Sequence, residues 1–148
     1  MTNKIDKTIK IYIVDDNESV NHSLKFLFNA MYDIDIETFN DPLLFLDVFS
    51  SDCRGCVIID LFMPILNGHE LLQEMNRRGN NLSVMMMSGN ASKDVVQQLI
   101  GAGVHAFIAK PFDMERLLEQ VDESLRAMAF HSPRKDTMGS KCAARFAG

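Results

Sequence analysis

Five short apolar segments, each followed by an amphipathic segment, constrain the fold of this chain most strongly. The apolar segments are predicted strands, and they cover Lys10–Val14, Asp33–Phe39, Cys56–Asp60, Ser83–Ser88 and Val104–Ala109. Three of them, with the cores IYIV, CVIID and VMMMS, show no alternation, which is typical of parallel strands covered on both faces. The repeated strand–helix pattern therefore predicts an α/β protein, a three-layer sandwich around a parallel sheet.

The second predicted strand differs from the others and indicates the strand order. Its sequence DIDIETF alternates acidic and apolar residues, as expected of an edge strand with one face in water. Right-handed crossovers leave few topologies for five such units. We therefore expect a doubly wound, flavodoxin-like (βα)5 fold with the sheet order 2-1-3-4-5, which places a ligand site between the carboxyl ends of the first and third strands.

The starts of the predicted helices carry N-terminal signals. Asp41 stands directly before Pro42, which suits the first position of a helix. Asn67 opens the segment NGHE, which has the spacing of a capping box. The two later helices are preceded by Ser92 and Asp113. These residues predict where the last four helices begin.

Charge and hydropathy exclude two classes of partner. The chain has a formal net charge of -5, and residues 131–148 carry four basic residues against one acidic residue. About eight negative charges therefore fall on residues 1–130, which disfavours direct binding to nucleic acid by that part. No apolar stretch reaches the roughly 18 residues of a membrane span, and the polar start MTNKIDKTIK lacks the apolar core of a signal peptide. We expect no membrane association and a cytoplasmic location.

The pattern divides the chain into three parts. Residues 1–8 are expected to be an N-terminal extension, residues 9–129 one domain, and residues 130–148 a flexible tail or linker without apolar periodicity. This tail either leads to an output domain or is partly vector-derived. Three cysteines, an odd count, argue against a disulfide framework, and Cys53 and Cys56 in CRGC are interpreted as a loop residue and a strand residue.

Polar residues occupy the ends of four predicted strands. The first strand is followed by Asp15 and Asp16, the third and fourth end in Asp60 and Ser88, and the fifth is followed by Lys110. Because ligands bind at the carboxyl ends of parallel strands, these side chains are expected in one pocket. Three clustered carboxylates need a cation, and Mg²⁺ suits this set of hard oxygen ligands.

The same set of residues suits a phosphoryl group. Lys110 offers a positive charge, and Ser88 offers a hydrogen-bond donor. An aspartate is able to act as a nucleophile that forms an aspartyl-phosphate, and Asp60 is the candidate because its strand is central in the sheet. The segment DLFMPILNG turns away from this strand, and a backbone carbonyl there is able to complete the metal shell.

These motifs together resemble the receiver domain of bacterial two-component response regulators, the CheY-like family. The resemblance covers roughly residues 8–128 and rests on DD at 15–16, DLFMPILNG at 60–68, SGN at 88–90 and KPF at 110–112. The segments DLFMPILNG, KPFD and NRRGNN are similar in sequence to those of receivers that precede LuxR-type helix-turn-helix domains, as in nitrogen-fixation regulators.

The resemblance implies a role for each motif residue. Asp60 would accept the phosphoryl group from a sensor histidine kinase or a phosphotransfer protein. Asp16 would bind Mg²⁺ directly and Asp15 mainly through water, with the backbone carbonyl of Phe62 as a further ligand. Ser88 would move to the phosphate, and Lys110 would pair with it.

A second implication concerns signalling. Phe107 matches the switch aromatic of the family, and phosphorylation would switch the surface formed by the fourth helix, the fifth strand and the fifth helix. That surface is expected to carry Leu99 and Ile100 beside charged residues and to control dimerisation or partner binding. Ser88, Phe107 and Phe62 depart from the commonest residues, and the bulk of Phe62 leaves the phosphoryl lifetime open.

Three alternatives remain open from the residues. The first is a phosphotransfer carrier without output in place of the switch. A haloacid-dehalogenase-type phosphatase also uses an aspartate and Mg²⁺, but it needs D-x-D after the first strand, where this chain has DD. A flavodoxin-like cofactor binder would need a phosphate loop rich in serine, threonine and glycine, and DDNES would repel a phosphate without a metal.

Overall fold

The computed structural model describes residues 8–128, which form five strands and five helices in strict alternation. The strands are β1 (Ile9–Val14), β2 (Asp35–Phe39), β3 (Arg54–Asp60), β4 (Ser83–Ser88) and β5 (Val104–Ala109). The helices are α1 (Glu18–Met31), α2 (Pro42–Val48), α3 (Gly68–Arg77), α4 (Lys93–Gly101) and α5 (Met114–Arg126). The predicted tail over 130–148 lies outside the described residues, as do Cys142 and all but the last residue of the N-terminal extension.

All five strands belong to one parallel sheet with the order β2-β1-β3-β4-β5. The predicted fold class and strand order are confirmed. Because the chain moves to opposite sides of β1 for β2 and β3, the switch point lies between the carboxyl ends of β1 and β3. Every acidic motif residue named above stands at that edge of the sheet.

Three strand starts differ from the sequence prediction. β2 begins at Asp35 rather than Asp33, because Tyr32 ends α1 with an N–H bond to the Phe28 carbonyl and the chain needs two residues to turn. β3 begins two residues earlier than predicted, since Gly55 has a positive φ of 123° that lets its backbone lie against Lys10. β1 begins one residue earlier, at the partner position of Arg54.

The sheet buries an apolar layer on each face. Residues such as Phe45, Leu71 and Leu99 come from α2, α3 and α4 and cover one face. Leu24 and Leu117 belong to the layer under α1 and α5 on the other face. Burial of each such side chain is worth roughly 1.5–3 kcal/mol. The predicted caps Asp41, Asn67, Ser92 and Asp113 each accept a backbone N–H at the start of their helix.

The cysteines of CRGC are both free, as the interpretation of a loop and a strand residue requires. Cys53 precedes β3, and Cys56 lies inside it. Burial raises the pKa of the Cys56 thiol to about 12, so that this thiol stays protonated and unreactive. Within residues 8–128, the helices are all too short or too polar to cross a membrane.

Candidate functional site

The carboxyl ends of four neighbouring strands bring the predicted site residues to one edge of the sheet. Asp15 directly follows β1, Asp60 and Ser88 are the last residues of β3 and β4, and Lys110 directly follows β5. Parallel pairing places these residues at similar heights along their strands. Asp60 lies opposite Met87, and the Lys110 N–H donates to the Ser88 carbonyl at 2.9 Å. The convergence expected from the strand pattern is therefore present.

Three carboxylates cluster at the switch point. One oxygen from each of Asp15, Asp16 and Asp60 lies within 4.8 Å of the others. Asp15 is fully buried and Asp60 is 7% exposed, whereas Asp16 faces solvent. Like charges this close repel each other, and burial removes the water that would weaken the repulsion. The local sequence thus builds an excess of negative charge that the apolar core cannot neutralise.

Lys110 is the cation that partly balances this charge. Its Nζ lies 3.0 Å from Asp15 Oδ2 and 3.4 Å from Asp60 Oδ1, so that one ammonium contacts both buried carboxylates. Burial lowers the pKa of Lys110, but the two carboxylates outweigh this effect and the net shift is upward. Lys110 therefore stays charged and supplies one positive charge against three acidic groups.

Asp60 carries the unbalanced part of the charge. Burial and the negative charge of Asp15 raise the pKa of the Asp60 carboxyl to about 6, although Lys110 and the Phe62 N–H act in the opposite direction. A further positive charge beside such a carboxyl group stabilises its ionised form. Hard oxygen ligands around a negative centre fit Mg²⁺, so that Asp15, Asp16 and Asp60 could hold this ion.

The loop after β3 frames Asp60. The Phe62 N–H donates to Asp60 Oδ1 at 3.4 Å, and the Phe62 side chain is 59% exposed beside the site. Gly68 begins α3 so close to the strand end that a Cβ there would lie 2.9 Å from the Asp60 carbonyl oxygen. Ile65 has a positive φ of 70°, which is unfavourable for a β-branched residue. The metal-ligand role of the Phe62 carbonyl stays a prediction.

Ser88 and Phe107 lie on the same face of neighbouring strands. The Ser88 hydroxyl oxygen accepts the Asn90 N–H at 3.1 Å, and the side chain is almost fully buried. Phe107 lies opposite Met86, two residues before Ser88 on β4, and packs with the apolar layer under α4. The expectation that Leu99 lies on the α4 surface is wrong, because Leu99 is fully buried in that layer, whereas Ile100 is exposed.

Sequence reasoning missed the residue that holds the first acidic side chain. Asn17 donates its backbone N–H to Asp15 Oδ1 at 2.9 Å, and its own side chain caps α1 by accepting from Ser19 and Val20. The signal was present, since asparagine is a favoured N-cap and follows the DD pair directly. The start of α1 and the position of the Asp15 carboxylate therefore depend on one residue.

Comparison with protein families decides the class of this site. The family described as the response regulator receiver domain matches residues 11–122. This chain belongs to that family. It is therefore a receiver domain of the kind found in two-component signal transduction. The match gives no support to the phosphatase or flavodoxin-like alternatives.

Relatives of this receiver include named transcriptional regulators. The transcriptional regulatory protein FixJ of Azorhizobium caulinodans is 30% identical over 142 residues, which cover 96% of this chain and 66% of FixJ. The transcriptional regulatory protein TdiR of Thauera aromatica is 32% identical over 115 residues, 78% of this chain and 50% of TdiR. The chain thus spans between half and two thirds of the length of these relatives.

A solved structure of a relative has the same fold. Full-length FixJ from B. japonicum aligns with a TM-score of 0.70 and 29% identity, over 82% of this chain and 59% of that chain. The receiver fold of this chain is thus found within a longer protein of known structure.

Proposed function

We propose that Asp60 of this receiver accepts a phosphoryl group from a sensor histidine kinase or a phosphotransfer protein. A carboxylate oxygen of Asp60 attacks phosphorus, the new P–O bond forms as the P–N bond to the donor histidine breaks, and the released imidazole takes up a proton. The observation that carries the proposal is the place of Asp60, which ends the central strand 7% exposed, with Lys110 Nζ 3.4 Å from its Oδ1.

The neighbouring residues have distinct roles in this proposal. Asp16, Asp60 and the Phe62 carbonyl would hold Mg²⁺ directly, and Asp15 would do so mainly through water. The ion would neutralise charge on the transferring phosphoryl oxygens. Lys110 already contacts two carboxylates and pairs with the phosphoryl group once Asp60 carries it. Ser88 donates its hydroxyl to a phosphoryl oxygen. The receiver thus catalyses its own phosphorylation and dephosphorylation without acting as a turnover enzyme.

The output of the proposed reaction is a change in the surface of α4, β5 and α5. When Ser88 moves toward the phosphate, Phe107 fills the space beside β4, because both side chains lie on one face of adjacent strands. Ile100 and Met114 are exposed on α4 and α5 and supply apolar contacts for a second copy or a partner. The names of FixJ and TdiR support control of transcription as the output. In this proposal, residues 9–129 are the receiver, residues 130–148 are a tail or linker, and the location is cytoplasmic, as the sequence pattern predicts.

A phosphorylation assay tests the acceptor directly. With Mg²⁺ and acetyl phosphate, the protein should gain one phosphoryl group by intact mass, stable in acid and released by hydroxylamine. Asp60→Asn should abolish the gain, because the amide is a poor nucleophile, whereas Asp47→Asn on the exposed face of α2 should leave it unchanged. Full labelling of Asp60→Asn would assign the acceptor to another residue and overturn the proposal.

A phosphoryl mimic tests the switch. Beryllofluoride with Mg²⁺ should strengthen self-association or partner binding by about 1–3 kcal/mol, the usual size of such a coupling. Ser88→Ala should still accept a phosphoryl group on Asp60 but lose most of this gain, which sedimentation velocity measures. Amide NMR spectra of the wild type should also change on α4, β5 and α5 when the mimic binds. If these changes stay confined to the loops around Asp60, the domain is a phosphotransfer carrier without output.

A further inference from the structure

A buried asparagine on α1 bridges the two strand ends next to the acidic pair. Asn21 is 5% exposed, and its Nδ2 donates to the Asp15 carbonyl at 2.8 Å and to the Phe39 carbonyl at 3.2 Å. The Asp15 N–H also donates to the Phe39 carbonyl, at 3.0 Å. Since Val14 and Phe39 are the last register partners of β1 and β2, the Asn21 amide extends their pairing beyond the strands.

The side-chain oxygen of Asn21 shows that packing does not explain why an asparagine stands at this position. Its Oδ1 is buried and has no hydrogen-bond donor among residues 8–128. The orientation of the amide follows from its two contacts, because only the NH₂ group is able to donate to carbonyl oxygens. A buried acceptor without a donor lowers stability, and an apolar side chain of similar shape would avoid that loss. What distinguishes asparagine here is the pair of bonds that its NH₂ group makes.

The residue that needs such support is Asp16. The Asp15 carboxylate is held by the Asn17 N–H and by Lys110. The Asp16 carboxylate faces solvent and has no hydrogen bond or ion pair within the part of the chain that the structure describes. The carbonyl that Asn21 holds belongs to the planar peptide unit that joins Asp15 to Asp16. Fixing that carbonyl fixes the backbone from which the Asp16 side chain extends.

We infer that Asn21 is a positioning residue for Asp16 as a ligand of Mg²⁺. This inference rests on the proposed function, because it assumes that the three carboxylates hold the ion. Asn21 touches neither the ion nor the phosphoryl group; it restricts the Asp15–Asp16 peptide so that the Asp16 carboxylate stays within reach of Asp15 and Asp60. Without the two bonds, Asp16 samples more orientations and the affinity for Mg²⁺ falls.

The test compares Mg²⁺ affinity with stability in Asn21→Leu. This variant removes both N–H donors and the buried unpaired oxygen while keeping the number and branching of the side-chain heavy atoms. We expect the Kd for Mg²⁺, measured by NMR titration, to rise on the order of tenfold, as for other residues that orient metal ligands. The urea midpoint should stay close to that of the wild type, because the variant removes the buried unpaired Oδ1 but also takes the Asn21 donor from the Asp15 carbonyl oxygen. Asn29→Leu, an exposed position on the same helix, should leave the Kd unchanged.

A double mutant separates positioning from a general structural effect. If Asn21 acts through Asp16, Asn21→Leu should have little further effect on the Kd in an Asp16→Ala background. Additive losses, or an unchanged Kd in Asn21→Leu, would overturn the inference. Wild-type affinity in Asp16→Ala would instead refute the metal site itself. If Asn21→Leu does not fold, an NMR titration of the wild type with Mg²⁺ replaces it. The signals of the Asn21 side-chain NH₂ group and of the Asp16 backbone amide should then shift with the same midpoint. Asn21 signals that do not shift would overturn the inference.

Discussion

The two ends of β3 solve opposite physical problems. At the amino end, Gly55 lets two backbones lie so close that a Cβ would stand 1.9 Å from the Lys10 carbonyl oxygen. At the carboxyl end, Asp60 is buried beside Asp15, and its carboxyl pKa is raised to about 6. The amino end is packed for stability, whereas the carboxyl end accepts a loss of stability to place charge where a cation and a phosphoryl group bind.

The largest expected effect is at the amino end. Gly55→Ala should lower the free energy of unfolding by more than about 3 kcal/mol or prevent folding, because it adds a backbone clash to an unfavourable positive φ. Gly103→Ala is the matched control, since Gly103 also has a positive φ, 104°, but open space around its Cα. That variant should lose only about 1 kcal/mol. Urea unfolding measures both, and equal losses would show that the close approach to Lys10 does not matter.

A gain in stability is expected at the carboxyl end. Without divalent cations at about pH 7, Asp60→Asn should raise the free energy of unfolding by about 2 kcal/mol, because it removes a buried charge with a raised pKa. The folded state binds the Asp60 proton more tightly than the unfolded state does. Wild-type stability therefore falls as the pH rises from about 4 to about 6, and the advantage of the variant should vanish near pH 4.

The control for this prediction is Asp47→Asn on the exposed face of α2. It should change the free energy of unfolding by less than about 0.5 kcal/mol, as is usual for exposed positions. A pH-independent gain in Asp60→Asn, or a gain of the same size in Asp47→Asn, would contradict the view that crowded carboxylates destabilise this end of the strand.

The same contrast explains which features could be predicted from sequence. The strand order, the bounds of β4 and β5 and the convergence of Asp15, Asp60 and Lys110 follow from local patterns, since strand ends and parallel pairing leave little choice. The close approach of Gly55 to Lys10 joins residues that are distant in the chain, so the local hydrophobic periodicity of each segment does not predict it. The burial of Leu99 likewise depends on how α4 is rotated against the sheet.

The measurement that tests the central claim most directly is stability as a function of Mg²⁺ concentration. If the three carboxylates form one cation site, the free energy of wild-type unfolding should rise with the Mg²⁺ concentration. The increase should be about 1.4 kcal/mol when the Mg²⁺ concentration is ten times the Kd. Asp16→Ala should show little of this rise at the same concentrations, because one of the three carboxylates is absent. An equal rise in wild type and Asp16→Ala, or no rise in the wild type, would contradict the account.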